Sequence, residues 1–403
     1  MKKVIVIGAG PAGMMAAIEA SKNNNVFLLD GNDKLGKKLF ITGKGRCNVT
    51  NAKNIGDFFD YIKGNPEFLY SSLYSFTNED TIEFFESRGI KLKVERGDRV
   101  FPNSDKSSDI IKGLSMGLKE NNVNILFNHK VTDVNIENNK IISVLCGDKI
   151  IEGDHFIIAT GGASYESTGS RGEGQILAKK MGHKIIPLKP SLVPIELKEN
   201  FVRELMGLSL KNVNLKILED KKVVYNEQGE MLFTHFGISG PLVLSGSRFI
   251  KEDKSYKVSI DLKPALDFKA LDNRILKDFK KYSNKEFKNS LNDLLPKKII
   301  ETIIMLSKIP GDKKVNEITK EERKNLVLLF KDLSFSVKGL RCLNEAIVTK
   351  GGIDTHEIDP STMKSKIISN LSFAGEVIDV DAFTGGYNVQ IALSTGYIAG
   401  KSI

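Results

Sequence analysis

The sequence predicts an α/β fold. A discontinuous Rossmann-like domain with two dinucleotide-fold segments holds an inserted antiparallel β domain and a small helical subdomain. Three observations carry this expectation. The chain opens on a strand, a GxGxxG turn, a helix and a second strand that ends in an acid. It closes on a strand, a run of glycines and acids, and an apolar helix. Between these ends the texture changes twice, first to two-residue alternation and then to lysine-rich helical periodicity.

Taken in order, Val4–Ile7 is a β-branched strand, Pro11–Lys22 an apolar-periodic helix and Val26–Asp30 a second strand, which is a βαβ unit. A polar, glycine-rich stretch runs from Gly31 to Asn54. Helical patterns cover Asn54–Ser75, Asn78–Arg88 and Ser107–Asn121, and Lys91–Pro102 reads as a hairpin. Short strands are expected at Val123–Phe127, Val131–Ile136, Ile141–Leu145 and Lys149–Ile151. An apolar strand, His155–Thr160, ends in glycines. After Pro187-Leu-Lys-Pro190 the residues to about Pro264 alternate apolar and polar, as in Leu208–Leu218 and Tyr256–Leu262. Residues 265–335 carry helix-period apolar residues among lysines. Past Gly339 the α/β texture returns, with a strand at Leu371–Ala374 and a helix from Gly385-Gly386 to Ala399. The expected division is therefore 1–190 plus 340–403, a β-barrel-like insertion at 191–264 and a basic helical subdomain at 265–339.

Composition excludes several classes. The 403 residues are 41% apolar and 27% charged, as in a globular chain of two or three domains. No apolar run reaches the ~18–20 residues of a membrane span, so no membrane is expected as a partner. The run after the two N-terminal lysines stops at Ile7, too short for a secretory leader. Cys47, Cys146 and Cys342 form no CxxC, which argues against a disulfide framework, a zinc site and a redox disulfide, and for a reducing, cytoplasmic location. His155, His183 and His356 lack ligand spacing. The net charge is +9, of which +6 falls between Phe268 and Ser334. That excess is either a solvated helical surface or a contact with a polyanion.

Each part of Gly8-Ala-Gly10-Pro-Ala-Gly13 has a physical reason. Gly8 permits the tight turn, Gly10 lets a pyrophosphate approach the backbone, and Gly13 lets helix and strand pack closely. The helix N-terminus favours an anion, and Asp30 can accept hydrogen bonds from an adenosine ribose. This motif serves FAD and NAD equally. The C-terminal Phe373-Ala-Gly375-Glu376-Val-Ile-Asp379-Val-Asp381, followed by Gly385-Gly386-Tyr387-Asn388-Val389-Gln390, decides for FAD. In two-dinucleotide-fold flavoproteins an acid after the late strand binds the ribityl chain. The next helix points its N-terminus at the flavin edge that becomes negative on reduction. His155–Gly162 matches the strand and turn passing near the cofactor. No second GxGxxG lies on a βαβ unit, so NAD(P)H, if it is the reductant, binds transiently over the isoalloxazine.

The chain resembles the YhiN/BaiN-type flavoproteins, the aminoacetone-oxidase-like FAD-binding enzymes. The resemblance rests on Gly36–Asn51 (GKKLFITGKGRCNVTN), Arg99–Pro102 (RVFP), Ala159–Gly174, Pro190–Pro194 (PSLVP), Leu232–Pro241 (LFTHFGISGP), Gly351-Gly352 and Thr362–Gln390. Lys44 and Glu166 depart from the commoner glycine and proline. The resemblance implies a flavin site with an inserted barrel-like domain and a helical subdomain. It implies activities that include ketone or amine oxidation, steroid enone reduction and conversion of a ribosomal RNA uridine to dihydrouridine. Cofactor contacts are expected from Gly8, Gly10, Pro11, Ala12, Gly13, Asp30 and Lys38, and from Gly43, Gly45, Arg46, Cys47 and Asn48. They are also expected from Ala159, Thr160, Gly161, Gly162, Gly375, Glu376, Asp379, Gly385, Gly386, Tyr387, Asn388 and Val389.

Catalytic candidates are Cys47, Arg46 and His235. Two cations flank Cys47, and neighbouring positive charge lowers a thiol pKa. Cys47 is therefore either the acid that protonates the carbon next to the hydride acceptor or a packing residue against the flavin, with Arg46 and Asn48 holding the loop. His235 either donates to substrate or makes a structural hydrogen bond. Arg99 either binds a substrate carbonyl or is a surface hairpin residue. Ser164–Arg171 either faces the flavin or a nicotinamide, or simply connects. The favoured function is reduction of a uridine in 23S ribosomal RNA, with RNA contacts at Lys277, Lys281, Lys285 and Lys288, spaced along one helix face. The alternatives are a small-molecule oxidoreductase of an enone, ketone or amine, and a non-catalytic flavin-containing RNA-binding factor.

Overall fold

The first strand, Lys3–Ile7, is buried from Val4 onward. It lies in the middle of a five-stranded parallel sheet in the order Leu371–Phe373, His155–Ile158, Lys3–Ile7, Asn25–Leu29, Asn124–Leu126. Strands covered on both faces read as continuous apolar runs rather than alternations, and Val4–Ile7 and Phe156–Ile158 do so. The computed structural model describes every residue except Glu252. It divides the chain into two units, Met1–Ser191 with Leu343–Ile403, and Leu192–Cys342.

In the first unit the helices Pro11–Ala20, Ser107–Glu120 and Tyr387–Lys401 flank the sheet. Pro11–Ala20 packs against both of the others. Three smaller sheets complete the unit. Thr50–Asn51 and Leu92–Glu95 flank Arg99–Pro102. Asp133–Glu137, Lys140–Cys146 and Lys149–Glu152 form a meander. Ile185–Ser191 pairs with Val348–Ile353. The expected helix over Asn54–Ser75 is instead broken into two 3₁₀ turns, Ile55–Asp60 and Pro66–Leu69, and a short helix, Tyr70–Ser75. Pro66 lacks an N–H and disfavours right-handed helical geometry at the residue before it, and Asn65 there takes a left-handed φ of +51°, which asparagine tolerates.

The second unit is a closed barrel of Ile195–Leu197, Gly237–Ser239, Lys222–Phe233, Ser209–Glu219, Tyr256–Asp261 and Leu333–Leu340. Helices Phe268–Lys281, Lys297–Ser307 and Lys320–Lys331 share its apolar core. Two expectations are corrected here. The helical segment does not extend to 339, because Leu333–Leu340 closes the barrel between Ile195–Leu197 and Tyr256–Asp261. The alternation Leu333-Ser-Phe335-Ser-Val337 carries that signal. The lysine stripe also fails. The helix ends at Lys281, so Lys285 and Lys288 lie beyond it. Lys281 pairs with Asp293 at 2.8 Å and Lys288 with Glu286 at 3.0 Å.

His155 lies within the parallel sheet with Nε2 2.9 Å from Ser372 Oγ. Burial, reinforced by Lys364 and Lys2, pushes its pKa down from the usual 6.5 to about 3. Between those values the unfolded chain binds a proton that the folded chain refuses, so stability falls as pH falls through this window. The expected slope from this residue is up to ~1.4 kcal/mol per pH unit. Urea midpoints from pH 7 to 4 should therefore fall less steeply for His155→Gln than for the wild-type chain, since the carboxylates act on both alike. Parallel slopes would refute the assignment.

Candidate flavin site

Strands Lys3–Ile7, His155–Ile158 and Leu371–Phe373 all run towards one edge of the sheet, where Gly8, Gly161 and Gly375 follow them. The crevice beyond the carboxyl ends of a parallel sheet is where such folds bind ligands. Close contacts bring the segments together. A Cβ at Gly8 would lie 2.6 Å from the Ala159 carbonyl oxygen, and one at Gly375 would lie 2.7 Å from the Ala12 Cβ. Gly13 is closer still: its Cβ would stand 1.8 Å from the Gly8 carbonyl oxygen, as close helix–strand packing requires.

Gly10 differs from these. It caps Pro11–Ala20 with an ordinary φ of −78°, and a Cβ there would meet no protein atom within 4 Å. No side chain caps this helix and no acid stands in its first turn, so its leading N–H groups and positive dipole end are open to an anion. Asp30 closes the neighbouring corner. Its Oδ2 accepts from Ala9 N–H at 2.6 Å, and its Oδ1 accepts from the backbone and side-chain nitrogens of Asn32 at 2.7 and 2.9 Å. Three of the roughly four acceptor positions of a carboxylate are thereby filled, leaving room for one ribose hydroxyl. The Asn32 amide also donates to Thr168 O at 3.1 Å, which holds the Ser164–Arg171 loop beside the Asp30 corner.

The second helix terminus belongs to Tyr387–Lys401. It too has no side-chain cap and no acid in its first turn. Gly386 has φ +98°, and a Cβ there would stand 2.3 Å from the Thr50 carbonyl oxygen, so only glycine fits. Thr50 Oγ1 donates to Gln390 Oε1 at 2.6 Å, which ties the end of the Gly43–Asn51 loop to this helix. The Tyr387 ring is core, stacked on Tyr61 with centroids 4.6 Å apart. The Asn388 amide binds Ala382 on both sides, at 2.9 and 2.8 Å. Both side chains are thus engaged within the protein.

Between the termini, Lys38 Nζ donates to Ser164 Oγ at 2.7 Å and to Glu376 at 2.7 and 3.1 Å. Glu376 also accepts from Thr349 N–H at 2.7 Å, while Thr349 Oγ1 accepts from Ala163 N–H at 2.9 Å. Gly162 lies against this cluster, since its Cβ would sit 2.9 Å from Glu376 Oε1. Asp379 holds the next turn by accepting from Gly351 N–H at 3.0 Å and the Asn65 amide at 3.2 Å. Thr349, Asn32 and Asn65 were not among the sequence candidates. Thr349 sits two residues before the Gly351-Gly352 motif, which is the only local signal for it.

In the Gly43–Asn48 loop the cations flanking Cys47 in sequence do not lower its pKa. The thiol is fully buried, and burial raises its pKa to about 12. Arg46 does not serve it. The guanidinium is bound by Glu95 and Asp105, at 2.5 Å each, and stacks over Phe101 at 4.3 Å. These carboxylates raise the Arg46 pKa and clamp the loop to the hairpin. Cys47 is held at φ +58°, its N–H donating to Thr42 O at 3.0 Å. Arg99 donates to Arg96 O at 3.0 Å, within its own hairpin turn. His235 belongs to the second unit, exposed, with its ring edge-on to Phe236 at 4.9 Å.

These residues fit FAD. Asn48 Oδ1, Thr160 Oγ1 and Gln175 Oε1 are buried without a hydrogen-bond partner, and each lies on or beside a loop of the crevice. A buried unsatisfied acceptor costs roughly 1–3 kcal/mol, a penalty that cofactor hydroxyls and ring N–H groups can remove. The space at Gly10 and the two bare helix ends suit a pyrophosphate and an electron-rich ring edge. Among the described residues no group of three or more His, Cys, Asp or Glu is placed to hold a metal, and no helix is long and apolar enough to cross a membrane.

The fold and crevice are those of a flavin-dependent oxidoreductase with a Rossmann-type FAD domain and an antiparallel barrel. The 3-ketosteroid Δ1-dehydrogenase of Sterolibacterium denitrificans has the same fold, with TM-score 0.52 over 99% of this chain and 98% of that one at 11% identity. A flavocytochrome c3 fumarate reductase matches at TM-score 0.50 and 16% identity, over 100% of this chain and 78% of that one. The chain belongs to the family of the HI0933-like protein Rossmann domain, which matches residues 2–402. It is 31% identical to a 3-dehydro-bile acid Δ(4,6)-reductase of Clostridium scindens, over 100% of this chain and 99% of that protein. It is 34% identical to a ribosomal RNA dihydrouridine synthase of Haemophilus influenzae, over 99% and 98%. An Escherichia coli protein of the latter name is 31% identical, over 99% and 97%.

Gly10 gives a direct test of the crevice. Because its Cβ would meet no protein atom, Gly10→Val should fold with the melting temperature of the flavin-stripped wild-type chain and purify without flavin absorbance. Gly13→Ala should lose both that stability and the flavin, its methyl being driven into the Gly8 carbonyl. Full FAD occupancy in Gly10→Val would overturn the placement of the pyrophosphate.

Proposed function

We propose that this protein reduces a uridine in 23S ribosomal RNA to dihydrouridine, with NAD(P)H as the transient reductant of the bound flavin. The observation that carries the reading is end-to-end similarity to two ribosomal RNA dihydrouridine synthases. The similarity to a bile acid reductase favours a second reading, reduction of a small conjugated enone. The two share one chemistry: uracil C5=C6 is conjugated to the C4 carbonyl, as the double bond of an enone is to its ketone. When bound, FAD supplies the hydride, and a proton must reach the adjacent carbon.

The chain's own residues divide that work. The open N-terminus of Tyr387–Lys401 favours negative charge at the flavin edge, so it lowers the cost of holding the reduced cofactor. Lys38, 2.7 Å from Glu376, offsets a carboxylate that would otherwise add to the charge of a bound anionic cofactor. Arg46, tied to Glu95 and Asp105, fixes the loop against the hairpin and is a positioning residue. Cys47, buried and with a thiol near 12, packs the loop rather than delivering the proton.

Two outcomes are expected. Cys47→Ala should retain FAD and turn over substrate within several-fold of wild type. A positioned acid would instead lose ~10²–10⁴-fold, and that loss would restore Cys47 as the donor. A strain lacking the gene should lack one dihydrouridine in its large-subunit ribosomal RNA, mapped by reverse-transcription stops after alkaline treatment, and the wild-type gene should restore it. An unchanged map, together with NAD(P)H-dependent reduction of a steroid enone by the pure protein, would replace the first reading with the second.

A further inference from the structure

With the lysine stripe broken, the second unit offers RNA a different cationic feature. A groove of about 310 Å³ opens between the start of strand Ser209–Glu219, the residues after strand Tyr256–Asp261 and the start of helix Lys297–Ser307. Its floor is apolar, from Leu210, Leu262 and Ile299, and its polar lining includes Lys211, Asn212 and Lys263. No acidic residue lines it, and the helix at its rim opens with Lys297 and Lys298 and no acid in its first turn.

Some cations of this unit are held by carboxylates, and the two lining lysines, like Lys269, Lys277 and Lys285, are among those that are not. Lys281, Lys288, Lys313, Arg323 and Lys331 each have a carboxylate partner. Among the described residues, Lys211 and Lys263 take part in no recorded ion pair. Lys263 is half-buried, and both burial and the nearby Arg274 lower its pKa, so an anion beside it would relieve a standing cost. The backbone is open as well. Ser209–Glu219 pairs with Tyr256–Asp261 only from Asn214 onward. Its ladder with Lys222–Phe233 skips between Leu210 and Val213, which leaves Lys211 and Asn212 in a bulge outside the regular pairing.

We propose that this groove binds the sugar–phosphate backbone of a single-stranded RNA segment. Phosphates would lie on Lys211 and Lys263, and ribose or base carbons on the apolar floor. The proposal rests on the RNA-reductase reading and adds to it the face that the substrate follows. Unpaired cations around an apolar floor without acids match a strand that alternates anionic and apolar parts. They match a small uncharged enone poorly.

The test uses the flavin-loaded full chain and a fluorescein-labelled, uridine-rich single-stranded RNA. Affinity is read by anisotropy across roughly 50 to 200 mM salt, with polyglutamate as a competing polyanion. The double variant Lys211→Gln/Lys263→Gln should bind about 10-fold more weakly at low salt. Its slope of log affinity against log salt should drop by about 1.4, at ~0.7 per lost single-strand phosphate contact. The control Lys285→Gln/Lys288→Gln removes the same charge from outside the groove and should change neither. FAD absorbance should be equal in all three proteins. Equal losses in both variants would replace the groove with diffuse charge, and polyglutamate displacing RNA at equal charge would replace it with an acidic-peptide site. A steep wild-type slope left unchanged by the groove variant would overturn the groove alone. A wild-type protein that does not bind RNA would overturn the groove and the RNA reading together.

Discussion

The first unit depends on backbone-to-backbone packing between its first helix and its last. A Cβ at Gly396 would sit 2.3 Å from the Ala12 carbonyl oxygen, and one at Gly400 would sit 2.3 Å from the Ala16 carbonyl oxygen. The two glycines are four residues apart and so share a helix face. They meet the alanines of the opposing helix at the same spacing. Such contact brings the helices nearer than any larger side chain allows. Both helices follow strands of the same parallel sheet, so both begin at its carboxyl edge. Small residues thus lock the two helices side by side with Ala12 opposite Gly396, so Tyr387 stands about eight residues, roughly 12 Å, beyond Pro11 along their common direction.

Two anion-seeking helix ends alone would bind any polyanion. The carboxylates around them are each tied within the protein. Asp30 is held by Ala9 and Asn32, Glu376 by Lys38 and Thr349, and Asp379 by Gly351 and Asn65. A carboxylate already bonded to backbone N–H groups keeps its position and a fraction of its acceptor capacity. It can then read hydroxyl groups without repelling phosphates a few ångströms away. The pre-organisation comes from segments far apart in sequence, with Asn65 314 positions from Asp379.

This distance explains what was legible in the chain. The βαβ unit, the C-terminal strand and helix and the barrel strands were readable because their signals are local: glycine spacing, an apolar period, two-residue alternation. Gly8 and Gly13 stand where a Cβ would collide with backbone, and Gly10 stands against open space, as their spacing implies. Leu333–Leu340 was missed as a strand because it follows a helical segment, although its alternation is plain. The Lys277–Lys288 stripe was misread because periodicity alone does not mark where a helix stops, and the chain turns at Tyr282. The thiol pKa of Cys47 was not legible for a different reason. Its neighbours in sequence are cations, yet in the fold Arg46 turns to Glu95 and Asp105 and the thiol turns inward, so burial outweighs charge. Sequence adjacency indicates which charges lie within reach and leaves open which way they point.

The same asymmetry separates reaction from substrate. Hydride delivery depends on the crevice of the first unit, whose glycines and tied acids leave few residue choices at each position. A cofactor of fixed shape imposes that restriction. Substrate recognition carries no such constraint, since an RNA strand and a steroid offer the same reducible bond within different surroundings. The electrostatics of the second unit therefore bear more information about substrate than the flavin site does. There, some cations are spent on internal carboxylates, as Arg323 is on Asp272 and Lys313 on Glu322. A cation paired in this way holds the fold and offers little to a phosphate, because binding would first break an existing ion pair. Net charge is thus a poor guide to an RNA-binding face, and the distribution of unpaired cations around a groove is a better one.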